Sequence, residues 1–233
     1  EVCRFNSHGK FFPSRADLLS YVAGSRGGDR VVMAICHEAD GHVGNVSLQA
    51  ISPIDRSAEF AILLGDKRHP DRVVLNGKGL KGGDAQNAVL INNSDDVTVQ
   101  GFHARNYRAN CFFATNLSDY VLDRLVAERC GVYGVYAFNS RGGTMSDSEA
   151  AWNNDSGFYI GQTPPQTRPI RSIVRNVSSY GNVLGFSGTN MRYVTITKSK
   201  WFNNGTGIVP NALDTEKYAP PEDNVITDND VFW

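Results

Sequence analysis

Asp214 and Glu216 stand two residues apart, with Lys217 beside them and Arg192 upstream. Carboxylates and cations grouped in this way suit acid–base chemistry on an acidic polysaccharide. A base takes the proton at sugar C5, and cations stabilise the enolate that develops. Glycoside hydrolysis needs two carboxylates facing one bond. Asp214 and Glu216 could serve either scheme, with Arg192 and Lys217 as electrostatic partners; the competing reading is a solvated charged loop. His37, Glu38, Asp40 and His42 also gather metal-ligand types, but their His-to-His gap of five does not match the His-Glu-x-x-His helix. Gly41 would break any helix there, so a loop with incidental histidines is expected. Asp147, Glu149 and Asp155 could bind calcium through oxygen ligands, or simply face solvent. His103 has no partner legible in the sequence. Calcium apart, no cofactor is identified.

The elements that must position these groups follow from a repeat. Asn87, Cys111, Gly134, Gly157, Gly185 and Gly207 each precede a short apolar run, at intervals of 24, 23, 23, 28 and 22 residues. The long interval holds Thr163–Pro169, a loop added to an otherwise constant coil. Each repeat carries a second strand, such as Tyr120–Leu122, Thr144–Ser146 or Val194–Ile196. A third segment then ends in an Asn-rich turn, such as Asn153-Asn154 or Asn203-Asn204. Three short strands cannot bury an apolar face alone. Stacked coil on coil they pair every backbone group around one core, and parallel crossovers favour the right hand. The fifth residue after each anchor is Asn92, Asn116, Asn139, Gln162, Asn190 and Ala212. Recurring amides at one register are expected to support a turn rather than catalysis.

Alternation along the first strand sends the second and fourth residues outward. One such column reads Val89, Phe113, Tyr136, Tyr159, Ser187, Val209, and the other Ile91, Thr115, Phe138, Gly161, Thr189, Asn211. Phe113, Tyr136, Phe138 and Tyr159 form an outward aromatic strip whose flat rings suit the apolar faces of pyranoses. Arg141, Gln162, Thr163 and Asn211 flank it. Phe113, Tyr136, Phe138, Tyr159, Arg141, Gln162 and Asn211 are therefore the expected substrate-binding residues. The competing expectation is that residues 1–12 or the Pro-rich insertion pack over the strip.

Composition limits the alternatives. The 233 residues hold 23 Lys+Arg against 24 Asp+Glu, a formal charge of −1, with 41% hydrophobic and 20% charged residues. That balance gives no electrostatic argument for nucleic acid or a membrane surface, and no apolar run approaches the roughly 20 residues of a spanning helix. The chain opens at Glu1 without a leader and ends in mid-coil, as expected of a mature or trimmed chain. Ser14–Asp17, followed by Leu18, Leu19, Val22 and Gly24, predicts a short helix capping the open end of the core. Strands are expected at Gly28–Met33, Val46–Leu48 and Ala61–Leu64, in irregular first coils. Cys3, Cys36, Cys111 and Cys130 allow several pairings. Cys3 with Cys36 is the favoured bridge, while Cys111 and Cys130 sit at different registers and could both be buried thiols.

The capping helix, the Gly-Asp-x-Val-Val entry at Gly28, the Val-Leu-Asn-Gly step at Val74–Gly77 and the coils from Asn87 resemble the secreted bacterial right-handed β-helix repeat proteins of the pectin lyase-like superfamily. The resemblance spans roughly residues 15–233. It implies an all-β, right-handed parallel β-helix of three sheets in one domain, and length over period gives about nine coils. Residues 1–86 would form the cap and irregular coils, and 87–233 the regular coils. It does not carry an active site: the polygalacturonase set and the Tyr-Gly-x-Asp-Pro-His-Asp motif of mannuronan epimerases are absent. The expected function is a secreted protein binding an extended, acidic polysaccharide, with lyase or epimerase chemistry preferred over hydrolysis. The alternative is a non-catalytic structural or adhesion module, as monomer or homo-oligomer, whose strip is an assembly surface.

Overall fold

The computed structural model describes residues 30–37, 41–54, 57–64 and 73–233, together with positions 16, 23 and 28. The chain divides into two compact units, residues 1–71 and 72–233. The capping helix predicted from Ser14 lies outside the described residues, apart from the helical positions Ala16 and Ala23.

In the first unit, Arg30–His37, Gly41–Ser52 and Ser57–Leu64 form an antiparallel three-stranded sheet in chain order. These strands were expected as irregular coils of the solenoid. The connections explain the difference: a parallel crossover needs a dozen or more residues, whereas only residues 38–40 and 53–56 separate these strands. Short links force the chain to reverse. His37 and His42 belong to strands rather than a loop, with His42 opposite Cys36 and Gly41 opposite His37.

The second unit is a parallel β-helix. A first sheet stacks Asn87–Asn92, Asn110–Thr115, Val135–Phe138, Ser156–Ile160, Leu184–Thr189 and Thr206–Asn211. A second stacks Thr98–Gln100, Val121–Asp123, Thr144–Ser146, Ser172–Arg175, Val194–Thr197 and Val225–Thr227. A third begins one coil earlier at Val73–Asn76 and runs through Phe102–Arg105, Val126–Glu128, Glu149–Ala151, Ser178–Tyr180 and Lys200–Phe202 to Asp230–Phe232. The sheets hold six, six and seven strands, fewer than the nine coils expected from length, because the described strands between residues 30 and 64 pair antiparallel with one another.

Register corrects the first interval. Asn87 pairs with Asn110, not Cys111, so Val89, Phe112, Val135, Phe158, Phe186 and Ile208 form one column at spacings of 23, 23, 23, 28 and 22 residues. Val89 and Ile91 therefore turn inward, and Leu90 takes the outward place beside Phe113. A second lengthening occurs in the last coil. Ile196 pairs with Ile226, so the 30 residues of that step include a loop between Asn211 and Val225.

The core is three inward columns. Phe112, Val135, Phe158 and Phe186 come from the first sheet, Leu122, Met145, Val174 and Ile196 from the second, and Ala104, Ala127, Ala150 and Trp201 from the third. All are essentially without solvent contact. Small alanines on the third sheet leave room for phenyl rings opposite, and Trp201 meets Phe158 and Phe186 edge-on.

Buried corners need hydrogen-bond partners that water cannot supply. At the corner between third and first sheets, Asn153, Asn182 and Asn204 supply them. Each Oδ1 accepts the backbone N–H of the coil before (Cys130 3.0 Å, Asn153 2.8 Å, Asn182 3.0 Å). Each Nδ2 donates to a strand carbonyl: Ala127, Ala150 and Ser179 respectively. Cys130 occupies the corner position below Asn153 and is joined by a disulfide to Cys111, with Cα atoms 5.7 Å apart. This is the pairing judged less plausible from sequence. The corner folds the start of one strand against the end of another, a proximity that counting residues from the anchors does not reveal. Cys3 lies outside the described residues.

Asn182→Ala is expected to cost about 2–3 kcal/mol, because it strands a buried N–H and a carbonyl. Asn116→Ala, at an exposed turn, should cost under about 1 kcal/mol. Urea unfolding followed by circular dichroism measures both. Reduction of Cys111–Cys130 should lower stability by about 3 kcal/mol in the same assay, the value for a loop of this length.

Candidate functional site

The outward face of the first sheet carries a continuous cluster of rings. Phe113 and Tyr136, adjacent by register, stack at 4.7 Å between centroids with planes 7° apart. Tyr136 meets Tyr159 edge-on at 4.8 Å, and Phe138 lies 6.0 Å away. Tyr133 joins at 4.6 Å from Tyr136 and 4.8 Å from Tyr159. Tyr133 was missed by the sequence reading because it precedes the strand, in the turn before Val135. The available signal was its place one coil above Asn110, whose Oδ1 accepts the Tyr133 N–H. Phe113, Tyr133, Tyr136 and Phe138 are half-buried, while Tyr159 is only 7% exposed and forms the closed end.

The loop between Asn211 and Val225 builds that end. This loop is not one of the covering segments expected from sequence, of which residues 1–12 lie outside the described residues. Its fastenings are three residues that sequence had placed in the site or the turn column. The Gln162 Oε1 accepts the Tyr218 N–H at 2.9 Å. The Asn190 Nδ2 donates to Leu213 O and Glu216 Oε2, both at 2.9 Å. Arg192, 6% exposed, donates to the carbonyls of Tyr218 (3.0 Å) and Pro220 (2.7 Å) and to Glu222 (2.6 Å). Four hydrogen bonds spend this buried guanidinium on the loop, which it positions.

The four catalytic candidates are therefore not brought together. The Glu216 carboxylate accepts from Asn190, and its charge raises Tyr133, Tyr136 and Tyr159. Arg192 is turned into the loop. Lys217 lies over the Tyr218 ring at 4.9 Å, and Asp214 is exposed. Among the flanking residues, Asn211 Oδ1 accepts the Thr189 hydroxyl at 3.0 Å, and Thr189 in turn bonds Tyr159. Arg141 bonds Ser118 at 3.1 Å in the turn beyond Phe138, where it is spent on the coil before. In the amide column, Asn139 Nδ2 donates to Asn116 Oδ1, and Asn116 Nδ2 to Asn92 Oδ1 at 3.1 Å. Asn116, Asn139 and Asn190 hold left-handed backbone (φ 57°, 52° and 48°), which asparagine tolerates better than most residues. Their role is the turn, as expected.

Burial sets the chemistry of the phenols. Desolvation, then the nearby Asp155, Tyr159 and Glu216, push Tyr133 up to about 12. Desolvation with Tyr159, Tyr133 and Glu216 raises Tyr136 further. Tyr159 is also raised, chiefly by burial, although its bonds to Thr189 oppose the shift. All three stay protonated at neutral pH, so each keeps a hydroxyl able to donate. None is a phenolate base.

The carboxylates proposed for calcium are dispersed. Asp147 accepts from Asn176, Glu149 from the Tyr180 hydroxyl, and Asp155 from Ser156 at 2.7 Å. Among the described residues no three His, Cys, Asp or Glu side chains converge on one point. Alternation explains this for Glu149, which stands out from a strand, while Asp147 and Asp155 occupy turns at either side of it. His103 does have a partner, Glu128 Oε2 at 3.1 Å in the next coil.

The stacked parallel sheets agree with the comparison to known families. A family model described as periplasmic copper-binding protein (NosD) matches residues 64–232, most of the chain. The chain belongs to the NosD family. No curated protein and no solved structure matches it. Within this NosD-family chain the match covers the whole solenoid and thus the ring cluster. No helix among the described residues is long and apolar enough to cross a membrane.

Raised phenols carry a pH consequence. The unfolded chain ionises near pH 10 while the folded phenols hold their protons, so stability is full below pH 10 and falls as pH rises above it. Alkaline unfolding should therefore begin near pH 10. Glu216→Gln removes a negative charge near the rings and should shift the phenolate absorbance of the folded protein to lower pH. An unchanged titration would place Glu216 away from the phenols.

Proposed function

We propose that this protein binds an extended polysaccharide along the outward face of its first sheet, in an extracytoplasmic compartment. The observation that carries this is the cluster of Phe113, Tyr133, Tyr136, Phe138 and Tyr159, a contiguous ring surface closed at one end by Glu216 and Thr189. Ring faces take the apolar C–H faces of sugars, while phenol hydroxyls and the Glu216 carboxylate take their hydroxyl groups. The coil stack repeats at the roughly 4.8 Å inter-strand spacing, so the rings form a rigid row rather than a mobile patch. The family's periplasmic description supports the compartment, and so does the disulfide between Cys111 and Cys130, a bond that persists in oxidising surroundings.

Of the four catalytic candidates, Glu216 alone carries a charge that acts on the ring phenols, which supports giving it the contact to a sugar seated on the rings. Lyase or epimerase action would rest on it as base, and new absorbance from unsaturated uronates would report elimination. Binding is the reading on which the arrangement bears most directly.

Copper, named in the family description, finds no ligand set among the described residues. Cys111 and Cys130 are oxidised to a disulfide, Met145 and Met191 are sealed in the core, and His103 is bonded to Glu128. Among the described residues these side chains do not fit a copper centre.

Titration calorimetry against a panel of neutral and uronate polysaccharides tests the proposal. Tyr136→Ala, at the centre of the cluster, should weaken binding about tenfold, corresponding to roughly 1.4 kcal/mol. Light scattering decides the alternative: a stable oligomer that disperses on Tyr136→Ser, without glycan binding by the parent, replaces the glycan reading with an assembly surface.

A further inference from the structure

A second surface lies at the corner where the third sheet turns into the first, in the earliest coils. A cleft of about 680 Å³ is lined by Gly77, Lys78, Gly79, Leu80, Lys81, Asn106, Arg108 and Arg129. Four cations line it and no carboxylate does. Among the described residues Lys78, Lys81 and Arg108 have no carboxylate partner. Arg129 has one, Glu128 at 3.6 Å, but at 55% exposure that contact is weak. Like charges gathered without counter-charges repel one another, and an anion between them relieves that repulsion.

The cleft is also fixed in shape. The Arg129 guanidinium lies 4.7 Å from the ring centre of Trp152, an arrangement that locks its plane while leaving its edge N–H groups for an oxyanion. Asn76 Oδ1 accepts both the Lys78 N–H (3.1 Å) and the Asn106 Nδ2 (2.9 Å), pinning the lysine loop to the next coil. Gly79 takes the left-handed φ of 87° that this tight loop requires. The disulfide ties the two arginine-bearing segments together, since Cys111 follows Arg108 by three residues and Cys130 adjoins Arg129. The segment from Arg129 to Tyr133 then runs directly from the cleft to the ring cluster.

From this geometry we infer that the cleft is an oxyanion site, taking the carboxylate or sulfate groups of an anionic glycan whose chain continues onto the rings. The inference rests on the glycan reading above and names its charge class. The rings alone do not supply that class, because ring faces and protonated phenols carry no cation.

The test uses the whole protein and titration calorimetry with polygalacturonate, dextran sulfate and neutral dextran, at 20 and 200 mM NaCl. The parent should bind one or both anionic chains, more weakly at high salt, and the two distinguish carboxylate from sulfate as the preferred group. Lys81→Ala with Arg108→Gln, both exposed changes, should weaken anionic binding at least tenfold and reduce the salt slope by about one per removed cation, by analogy with phosphate contacts. An unchanged melting temperature shows that the variant folds, and Lys81→Arg should bind as the parent does. Equal anionic binding by parent and double variant overturns the inference. So does equally tight binding of a 20-mer single-stranded DNA, which would make the cleft a general polyanion surface. Loss of binding on Tyr136→Ala with the cleft variant unaffected retains the ring site and rejects only the cleft.

Discussion

Every other feature depends on the parallel hydrogen bonding of each coil to the next. In a solenoid this short no strand exceeds six residues, and no coil buries an apolar side by itself. What makes the arrangement cooperative is registration. Once Phe112 lies below Val135 on the first sheet, Leu122 must lie below Met145 on the second and Ala104 below Ala127 on the third. A slip of one residue would turn each column inside out. The disulfide and the buried asparagines act on the same constraint, at the corner where strand pairing lapses and backbone groups would otherwise be left unsatisfied.

That rigid stack decides what the outward face can do. Phe113, Tyr136 and Tyr159 meet because strand spacing puts successive coils within ring-contact distance. Tyr133 meets them because the corner before its strand is held by the same ladder. The extra residues of the last coil form the loop that supplies Glu216 and closes the row. The ring cluster is thus a regular product of the repeat, while its closed end is a product of an interruption to the repeat. A second ring ladder, Tyr180, Phe202 and Phe232 on the third sheet, stacks at 4.9 and 5.1 Å and is met edge-on at Tyr180 by Trp152 at 5.2 Å.

Charge is distributed with the same economy. The net charge of −1 conceals a corner with four cations and no lining carboxylate, and a ring face with Glu216 beside three protonated phenols. Total charge speaks to solubility and long-range attraction, not to local patches.

The sequence by itself determined the coil length, the parallel sheets, the inward and outward columns from Cys111 onward, and the turn role of Asn116, Asn139 and Asn190. These follow from local periodicity, which a chain carries in one dimension. Tertiary structure alone decided the rest. Asn87 pairs with Asn110 because backbone registration, not anchor resemblance, fixes a coil. Cys111 bonds to Cys130 because the corner brings together residues that differ in repeat phase. Arg192 fastens a loop instead of serving a sugar because the carbonyls of Tyr218 and Pro220 reach it first. Residues 30–64 reverse direction because their links are too short to cross over. Each of these outcomes depends on distances between segments that periodicity does not encode.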